Sequence, residues 1–204
     1  MTKLNLGGGA DWYMMGWECL DISNGYDLSV LNLSKYADSS VDVIYTSHCI
    51  EHLTLPQVIA LLGDCYRVLR KDGLIRIVVP DLDIYSYIQL NDQRQILEEG
   101  NPHYYARPEH KRTPLSEHVK FLLGWGSFVG SESDHKSFFT LNSLSLFLSL
   151  LGFKKITRVS FCDSDLKELR KEAVLNLGGM PVTGFDNANT RNISLYVEAM
   201  KIDS

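Results

Sequence analysis

Short apolar stretches separated by polar turns run through the chain. Some have the spacing of a helix and others are runs typical of a strand. Apolar residues at helical spacing mark residues 54–71 and 140–151. Runs typical of strands occupy residues 3–6, 18–21, 41–45, 74–79, 154–161 and 193–200. Because strands and helices alternate, the pattern predicts an α/β fold built on a parallel sheet.

The helix that follows Thr54 has the clearest signals in the chain. Thr54 and Gln57 have the spacing of a capping box, and Arg70 and Lys71 are expected in the last helical turn. Gly73 is expected to end the helix. Its apolar stripe comprises Val58, Leu61, Leu62, Cys65, Val68 and Leu69.

Two segments depart from this alternation. Residues 10–17 are fewer than the roughly 10–12 that a crossover between parallel strands needs, so the first helix is expected to be shortened or lost. Its place on the sheet would be taken by the aromatic and methionine residues of 12–17, and residues 22–28 allow only a vestigial strand.

Residues from about 85 to 133 are interpreted as an insertion that forms a lid or substrate wall within a single domain, 1–204. Helices are expected at residues 84–97 and 115–123.

The composition and net charge restrict which kinds of molecule the protein can bind. With 204 residues, a net charge of -5 and a pI near 5.7, the chain is not suited to holding nucleic acid through phosphate contacts. No apolar run approaches the roughly 20 residues needed to cross a bilayer, and we expect a cytoplasmic protein. The four cysteines have no C-x-x-C spacing, which favours small buried side chains over metal ligands. Nothing in the composition indicates the oligomeric state.

A glycine turn and an acid give the first chemical signal. Gly7, Gly8 and Gly9 follow the first strand, and Asp21 ends the next one. Glycines there let a ligand approach bare N–H groups, and a carboxylate one strand later can accept both hydroxyls of a ribose. Trp12 stands where a dinucleotide fingerprint needs its third glycine, and no Gly-Lys-Ser/Thr ending follows. The pattern therefore favours a nucleoside that carries an amino acid.

An ordered series of motifs resembles the class I S-adenosylmethionine-dependent methyltransferases, in the small bacterial branch with a type 11-like domain. The motifs are at residues 4–9, 20–21, 41–48, 51–53, 68–73 and 79–81, and the resemblance returns at 135–153 and 194–201. The resemblance implies a Rossmann-like, mostly parallel sheet of the seven-stranded type. It also implies helices on both faces and an antiparallel C-terminal strand in a reversed terminal hairpin. The implied cofactor is S-adenosylmethionine.

The resemblance also implies site residues. Gly7, Gly8 and Gly9 would lie beside the methionine part of the cofactor, and Asn5 occupies the position of the usual first-strand acid. The remaining positions are Asp21 with Ile22 at the ribose, Asp27 and Leu28 at the adenine edge, and Ser47 and His48 facing the sulfonium. Because Asn5 carries no charge, it would bind the cofactor's ammonium less strongly than an acid.

Methyl transfer requires positioning and exclusion of water, with a base when the acceptor is a hydroxyl or a protonated amine. His48 and His135 are the catalytic candidates, since histidine titrates near neutral pH. The acceptor is expected to be a small molecule or a glycan with a hydroxyl or amine. That a glycan is methylated rests on the resemblance alone.

Two other functions remain open at this stage. The residues His48-Cys49-Ile50-Glu51-His52 match the H-x-x-E-H motif of zinc peptidases, but a strand directly precedes His48, and no third ligand is evident from spacing. No metal site is therefore predicted. A non-catalytic nucleoside-binding module is the second alternative, since Asn5 and the shortened crossover could weaken cofactor binding.

Overall fold

One six-stranded sheet organises the protein. The computed structural model describes residues 1–30, 33–100, 135–174 and 182–202. The strands are β1 (Lys3–Leu6), β2 (Glu18–Leu20), β3 (Val41–Ser47), β4 (Leu69–Pro80), β5 (Lys154–Val159) and β6 (Ser194–Met200). Their order in the sheet is β2-β1-β3-β4-β6-β5, and β6 is antiparallel to both of its neighbours. The α/β fold, the mostly parallel sheet and the antiparallel C-terminal strand are confirmed.

Two of the helices pack together on one face of this sheet. The α-helices of the described residues are α1 (Leu55–Val68), α2 (Leu82–Asn91), α3 (Arg94–Gly100) and α4 (Leu141–Leu150). The stripe of α1 and residues Leu144 and Leu148 of α4 join the sheet in the larger apolar core. Thr140 is the N-cap of α4, since its hydroxyl accepts the Ser143 N–H at 3.1 Å.

The opposite face is covered differently. Here a second apolar cluster contains Trp12, Phe185 and Leu169, the last from the short 3₁₀ helix Lys167–Arg170. The described residues have no α-helix between β1 and β2, as the short crossover predicts. Trp12, Met14 and Trp17 take up part of the space as expected, whereas Tyr13 and Met15 are 60% and 84% exposed and do not cover the sheet.

The end of α1 differs from the prediction. The helix stops at Val68, and Leu69 already has extended backbone angles (φ -61°, ψ 132°) as the first residue of β4. The Ser40 N–H donates to the Val68 carbonyl at 2.8 Å. The loop before β3 therefore satisfies a carbonyl that a longer helix would have used. Gly73 lies inside β4 and does not end the helix. Leu69 pairs with Val41 of β3 and the ladder resumes at Leu74, so the chain passes from helix to sheet at Leu69 despite its helical pattern.

The predicted helix 84–97 is two helices. They are separated at Asp92, which has a left-handed φ of 53°. The helix predicted at 115–123 and most of the insertion beyond Gly100 lie outside the described residues. Within the part of the chain that is described, no helix combines the length and apolarity needed to cross a membrane.

Candidate functional site

A cavity of about 520 Å³ opens at the carboxyl ends of β1, β2 and β3. Parallel strands bring their carboxyl ends to one edge of a sheet, so residues distant in sequence meet there. The residues lining the cavity are Gly7, Asp21, Ile22, Tyr26, Asp27, Leu28, Ser29, His48, Cys49, His52, Leu53 and Lys136. This single space therefore gathers Gly7, Asp21 and His48 from the ends of three strands.

The glycine turn is held tightly against the loop after β3. Gly7 has a φ of 74°, and its N–H donates to the Leu20 carbonyl at 2.8 Å. A Cβ at Gly7 would lie 2.3 Å from the Sγ atom of Cys49. Gly9 also has a left-handed φ, of 82°, but a Cβ there would meet no atom within 4 Å. Gly7 is therefore required by both backbone and packing, and Gly9 by backbone alone.

Asp21 connects the glycine turn to the segment after β2. Its Oδ2 accepts the Gly9 N–H at 2.9 Å, and its Oδ1 accepts the Ser23 N–H at 2.9 Å and the Ser23 hydroxyl. The bonds from Ser23 cap the short 3₁₀ helix Ile22–Asn24. Burial raises the pKa of Asp21, but the hydrogen bonds from Ser23 and Gly9 outweigh it, so the pKa lies below its ordinary value. Three of roughly four acceptor positions on the carboxylate are used.

This lowered pKa predicts a pH-dependent contribution to folding. The charged form of Asp21 is favoured in the folded protein, so its stabilising effect is complete above the unfolded pKa of about 4 and is lost as the pH falls through the lower folded pKa. We expect Asp21→Asn to reduce the melting temperature at pH 7 and to reduce it less as the pH drops below about 4. Thermal unfolding of both proteins without cofactor from pH 7 to pH 3 measures this. A gap that stays constant over that range would contradict it.

Asn5 lies beneath the glycine turn and is not among the residues that line the cavity. Its side chain is buried, and a Cβ on Gly8 would come within 2.4 Å of its Nδ2. Its Oδ1 accepts no hydrogen bond from the described residues. In this position Asn5 can influence the cavity through the conformation of the turn.

The other predicted cofactor residues divide into two groups. Ile22, Asp27 and Leu28 line the cavity, and the Asp27 carboxylate accepts the Ser29 N–H at 2.8 Å. Gly8, Gly9 and Ser47 are close in sequence to lining residues but are not among them. Several lining residues were missed by sequence reasoning, namely Tyr26, Ser29, Cys49, Leu53 and Lys136. They lie on loops whose conformation has no periodic signal, although most directly follow a predicted site residue.

His48 is held in a fixed orientation at the end of β3. Its backbone is left-handed (φ 48°), which is uncommon for a residue other than glycine. Its Nε2 is 3.0 Å from the hydroxyl of Ser194, and its Nδ1 is 3.3 Å from Oε1 of Glu51. Both ring nitrogens thus have polar neighbours, and the ring faces the cavity between them.

The structure places His135 and the H-x-x-E-H segment differently from what a catalytic histidine or a zinc peptidase motif would require. His135 is not among the lining residues, and its ring lies against His52 with centroids 4.7 Å apart. The segment around Glu51 is a short 3₁₀ helix, Ile50–His52, which begins after His48. His48 and His52 therefore do not share a face of an α-helix, as the zinc peptidase motif requires.

Comparisons with known proteins agree with this architecture. Residues 21–77 match a family model described as a methyltransferase domain. A crystal structure of an S-adenosylmethionine-dependent methyltransferase from Archaeoglobus fulgidus is similar, with 17% identity, a TM-score of 0.52 and coverage of 98% of this chain and 86% of that one. The apo structure of the S-adenosylmethionine-dependent methyltransferase SibL is similar with 9% identity, a TM-score of 0.52 and coverage of 99% and 50%. A comparison with curated proteins finds no match.

The solved structures establish the fold, and the family match covers most of the residues that line the cavity. Residues 21–77 thus match a methyltransferase domain, within a chain whose fold is that of S-adenosylmethionine-dependent methyltransferases of known structure.

Proposed function

We propose that the cavity at the ends of β1, β2 and β3 holds S-adenosylmethionine, with its ribose against Asp21 and its methionine part along the glycine turn. The convergence of Gly7, Asp21 and His48 on one cavity of about 520 Å³ carries this proposal. That volume falls within the range of small-molecule sites, about 300–1,000 Å³. Asp27 and Leu28 would bound the adenine, with Ile22 beside the ribose.

The carboxylate of Asp21 is suited to this role. Its lowered pKa keeps it charged at neutral pH, and its remaining acceptor position can take a ribose hydroxyl. A second ribose hydroxyl can replace the Ser23 hydroxyl, which is attached to a short and rotatable side chain. Gly9 and Ser23 N–H groups hold the carboxylate in place before the cofactor arrives.

The reaction moves a methyl group from a sulfonium to an acceptor. A lone pair on the acceptor's oxygen or nitrogen forms a bond to the methyl carbon, the bond from that carbon to sulfur breaks with its electron pair on sulfur, and the acceptor's proton passes to solvent. We propose that the acceptor is a small molecule or glycan with a hydroxyl or amine, and that the Nε2 of His48 hydrogen-bonds its reacting group in exchange for the Ser194 hydroxyl. The position of His48 at the cavity, with Glu51 beside its Nδ1, supports this role.

Cofactor titration tests the binding part of the proposal. We expect calorimetry to show binding of S-adenosylmethionine and S-adenosylhomocysteine, and Asp21→Asn to weaken both about 10- to 100-fold, because a hydrogen bond to a charged group contributes about 1.5–3 kcal/mol. Asp38→Asn, which removes a carboxylate from an exposed ion pair with Arg67, is the matched control and should leave the affinity unchanged. Equal affinities for wild type and Asp21→Asn would exclude Asp21 as the ribose acid.

A second measurement tests the catalytic part. Formation of S-adenosylhomocysteine is followed with pooled small-molecule and glycan acceptors. With an acceptor identified, His48→Gln should lower kcat about 100-fold or more while leaving cofactor affinity close to that of the wild type. Full cofactor binding without methyl transfer to any acceptor would favour the non-catalytic alternative.

A further inference from the structure

Three side chains that can bind a metal meet at the border of the cavity. Glu51, His52 and His135 each offer a ligand atom, and these atoms all lie within 4.8 Å of one another. His52 also lines the cavity. The sequence showed no such set because His135 is far from the other two residues in the chain.

Backbone contacts hold His135 at this place. The N–H groups of Lys136 and Ser137 donate to the Glu51 carbonyl at 2.7 and 3.0 Å. The Ser137 hydroxyl donates to the carbonyl of Leu53. Lys136 and Ser137, which follow His135 in the chain, are therefore fixed on the 3₁₀ helix Ile50–His52, which carries the other two side chains.

Glu51 is a buried carboxylate whose ion-pair neighbour is a histidine. Its side chain is only 1% exposed, and neither of its oxygens accepts a hydrogen bond of normal geometry from the described residues. The Nδ1 of His48, at 3.3 Å from Oε1, is its one ion-pair neighbour among those residues. The Nδ1 of His52 is likewise buried without a hydrogen bond from the described residues. An unsatisfied buried carboxylate is costly, and a bound cation would remove that cost.

We propose that Glu51, His52 and His135 bind one divalent transition-metal ion, which holds the hydroxyl oxygen of the methyl acceptor in the cavity. Two imidazoles and one carboxylate suit Zn²⁺ and other divalent transition-metal ions, whereas Mg²⁺ and Ca²⁺ prefer oxygen ligands. Ligands about 2.1 Å from a tetrahedral ion lie about 3.4 Å apart, so the three side chains would close by small rotations. Three protein ligands leave a position open to substrate, as in catalytic zinc sites.

The metal would select acceptors that have a hydroxyl group. This inference rests on the proposed methyl transfer. Coordination lowers the pKa of a bound hydroxyl, whose proton passes to solvent. The oxygen then forms its bond to the methyl carbon while the carbon–sulfur bond breaks and neutral S-adenosylhomocysteine leaves. In this arrangement His135 binds the metal and is not the base suggested by the sequence, while His48 remains beside Glu51 at the cavity.

Metal titration of the full chain tests the inference. Protein freed of metal with a chelator is titrated with Zn²⁺ in competition with a chromogenic chelator, and Mg²⁺ is tested separately. We expect one tight Zn²⁺ site, a rise in melting temperature with Zn²⁺, and much weaker Mg²⁺ binding. His135→Ala and Glu51→Gln should each weaken Zn²⁺ binding at least about 100-fold, with circular dichroism confirming that each variant is folded.

Two controls separate this site from other zinc ligands and from the cofactor site. The triple variant His103→Ala, His110→Ala and His118→Ala and the variant Cys162→Ser remove other potential ligands and should retain the tight site. Asp21→Asn should retain Zn²⁺ binding while losing cofactor affinity. Wild type that binds the cofactor but not Zn²⁺, or His135→Ala that binds Zn²⁺ as the wild type does, would overturn the metal site and leave the proposed cofactor site intact. Zn²⁺ binding without cofactor binding would instead overturn the cofactor site.

Discussion

Replacing Arg76 by methionine is expected to lower the free energy of unfolding by about 3–5 kcal/mol, because it leaves two carboxylates buried without their cation. Arg76 is 0% exposed and forms ion pairs with Asp186 and Glu198. Its other hydrogen bonds go to the carbonyls of Ser160 and Asp163, so every N–H of the guanidinium has an acceptor. Asp186 in turn accepts the Cys162 N–H at 2.8 Å. One side chain thus connects β4 with β6 and with the segments around residues 160–163 and 186.

Chemical denaturation and thermal melting measure this loss, which should appear as a fall in melting temperature of about 10 °C. Arg70→Met is the matched control, because the Arg70 side chain is 45% exposed in its ion pair with Asp42, and this substitution should cost about 1 kcal/mol. A triple variant, Arg76→Met with Asp186→Asn and Glu198→Gln, should recover part of the stability, since no uncompensated charge stays buried. Equal losses for Arg76→Met and Arg70→Met would show that the buried network contributes little.

Gly7→Ala is the second change with a large expected effect. It forces a side chain into a left-handed backbone and places its Cβ 2.3 Å from the Sγ and 2.5 Å from the Cβ of Cys49. Backbone strain of about 1–2 kcal/mol adds to an overpacking cost of about 1–3 kcal/mol. Because the cavity is lined by both Gly7 and Cys49, we also expect cofactor affinity to fall at least tenfold.

Gly9→Ala provides the matched control for Gly7. Gly9 has a similar φ of 82°, but open space lies where its Cβ would be, so the cost should be limited to the strain of about 1–2 kcal/mol. The double variant Gly7→Ala with Cys49→Gly removes the clash and should restore part of the stability and affinity. Unfolding curves and calorimetric titration of all three variants measure this. If Gly9→Ala were as destabilising as Gly7→Ala, the contact with Cys49 would be of no consequence.

The sequence contained a partial signal for the Arg76 network. An arginine inside the apolar run of residues 74–79 is unusual, and a buried arginine needs acidic partners. The identity of those partners could not be predicted, since Asp186 lies 110 residues further along the chain. Glu198 faces Arg76 through the register of β4 and β6, which is known only once the sheet is assembled.

For α1, local spacing predicted the start of the helix but not its end. Its start at Thr54 and its buried stripe followed from local spacing and are present in the structure. Its end was predicted at Gly73, but the helix stops at Val68, because Leu69 pairs with Val41 of β3 and this pairing overrides the helical pattern at this point. Local chemistry decides where a chain can form a helix, and tertiary pairing decides where it stops.

By itself, the sequence determined the class of the fold, the loss of the first crossover helix and the positions of Gly7, Asp21 and His48 at strand ends. These features depend on residues close in sequence: apolar spacing, turn chemistry and the length of a connection. Only the tertiary structure decided which distant side chains meet. It placed Asn5 beneath the glycine turn, His135 beside His52, and Arg76 between Asp186 and Glu198. Such contacts arise from strand register and loop docking, and neither has a periodic signal in the chain.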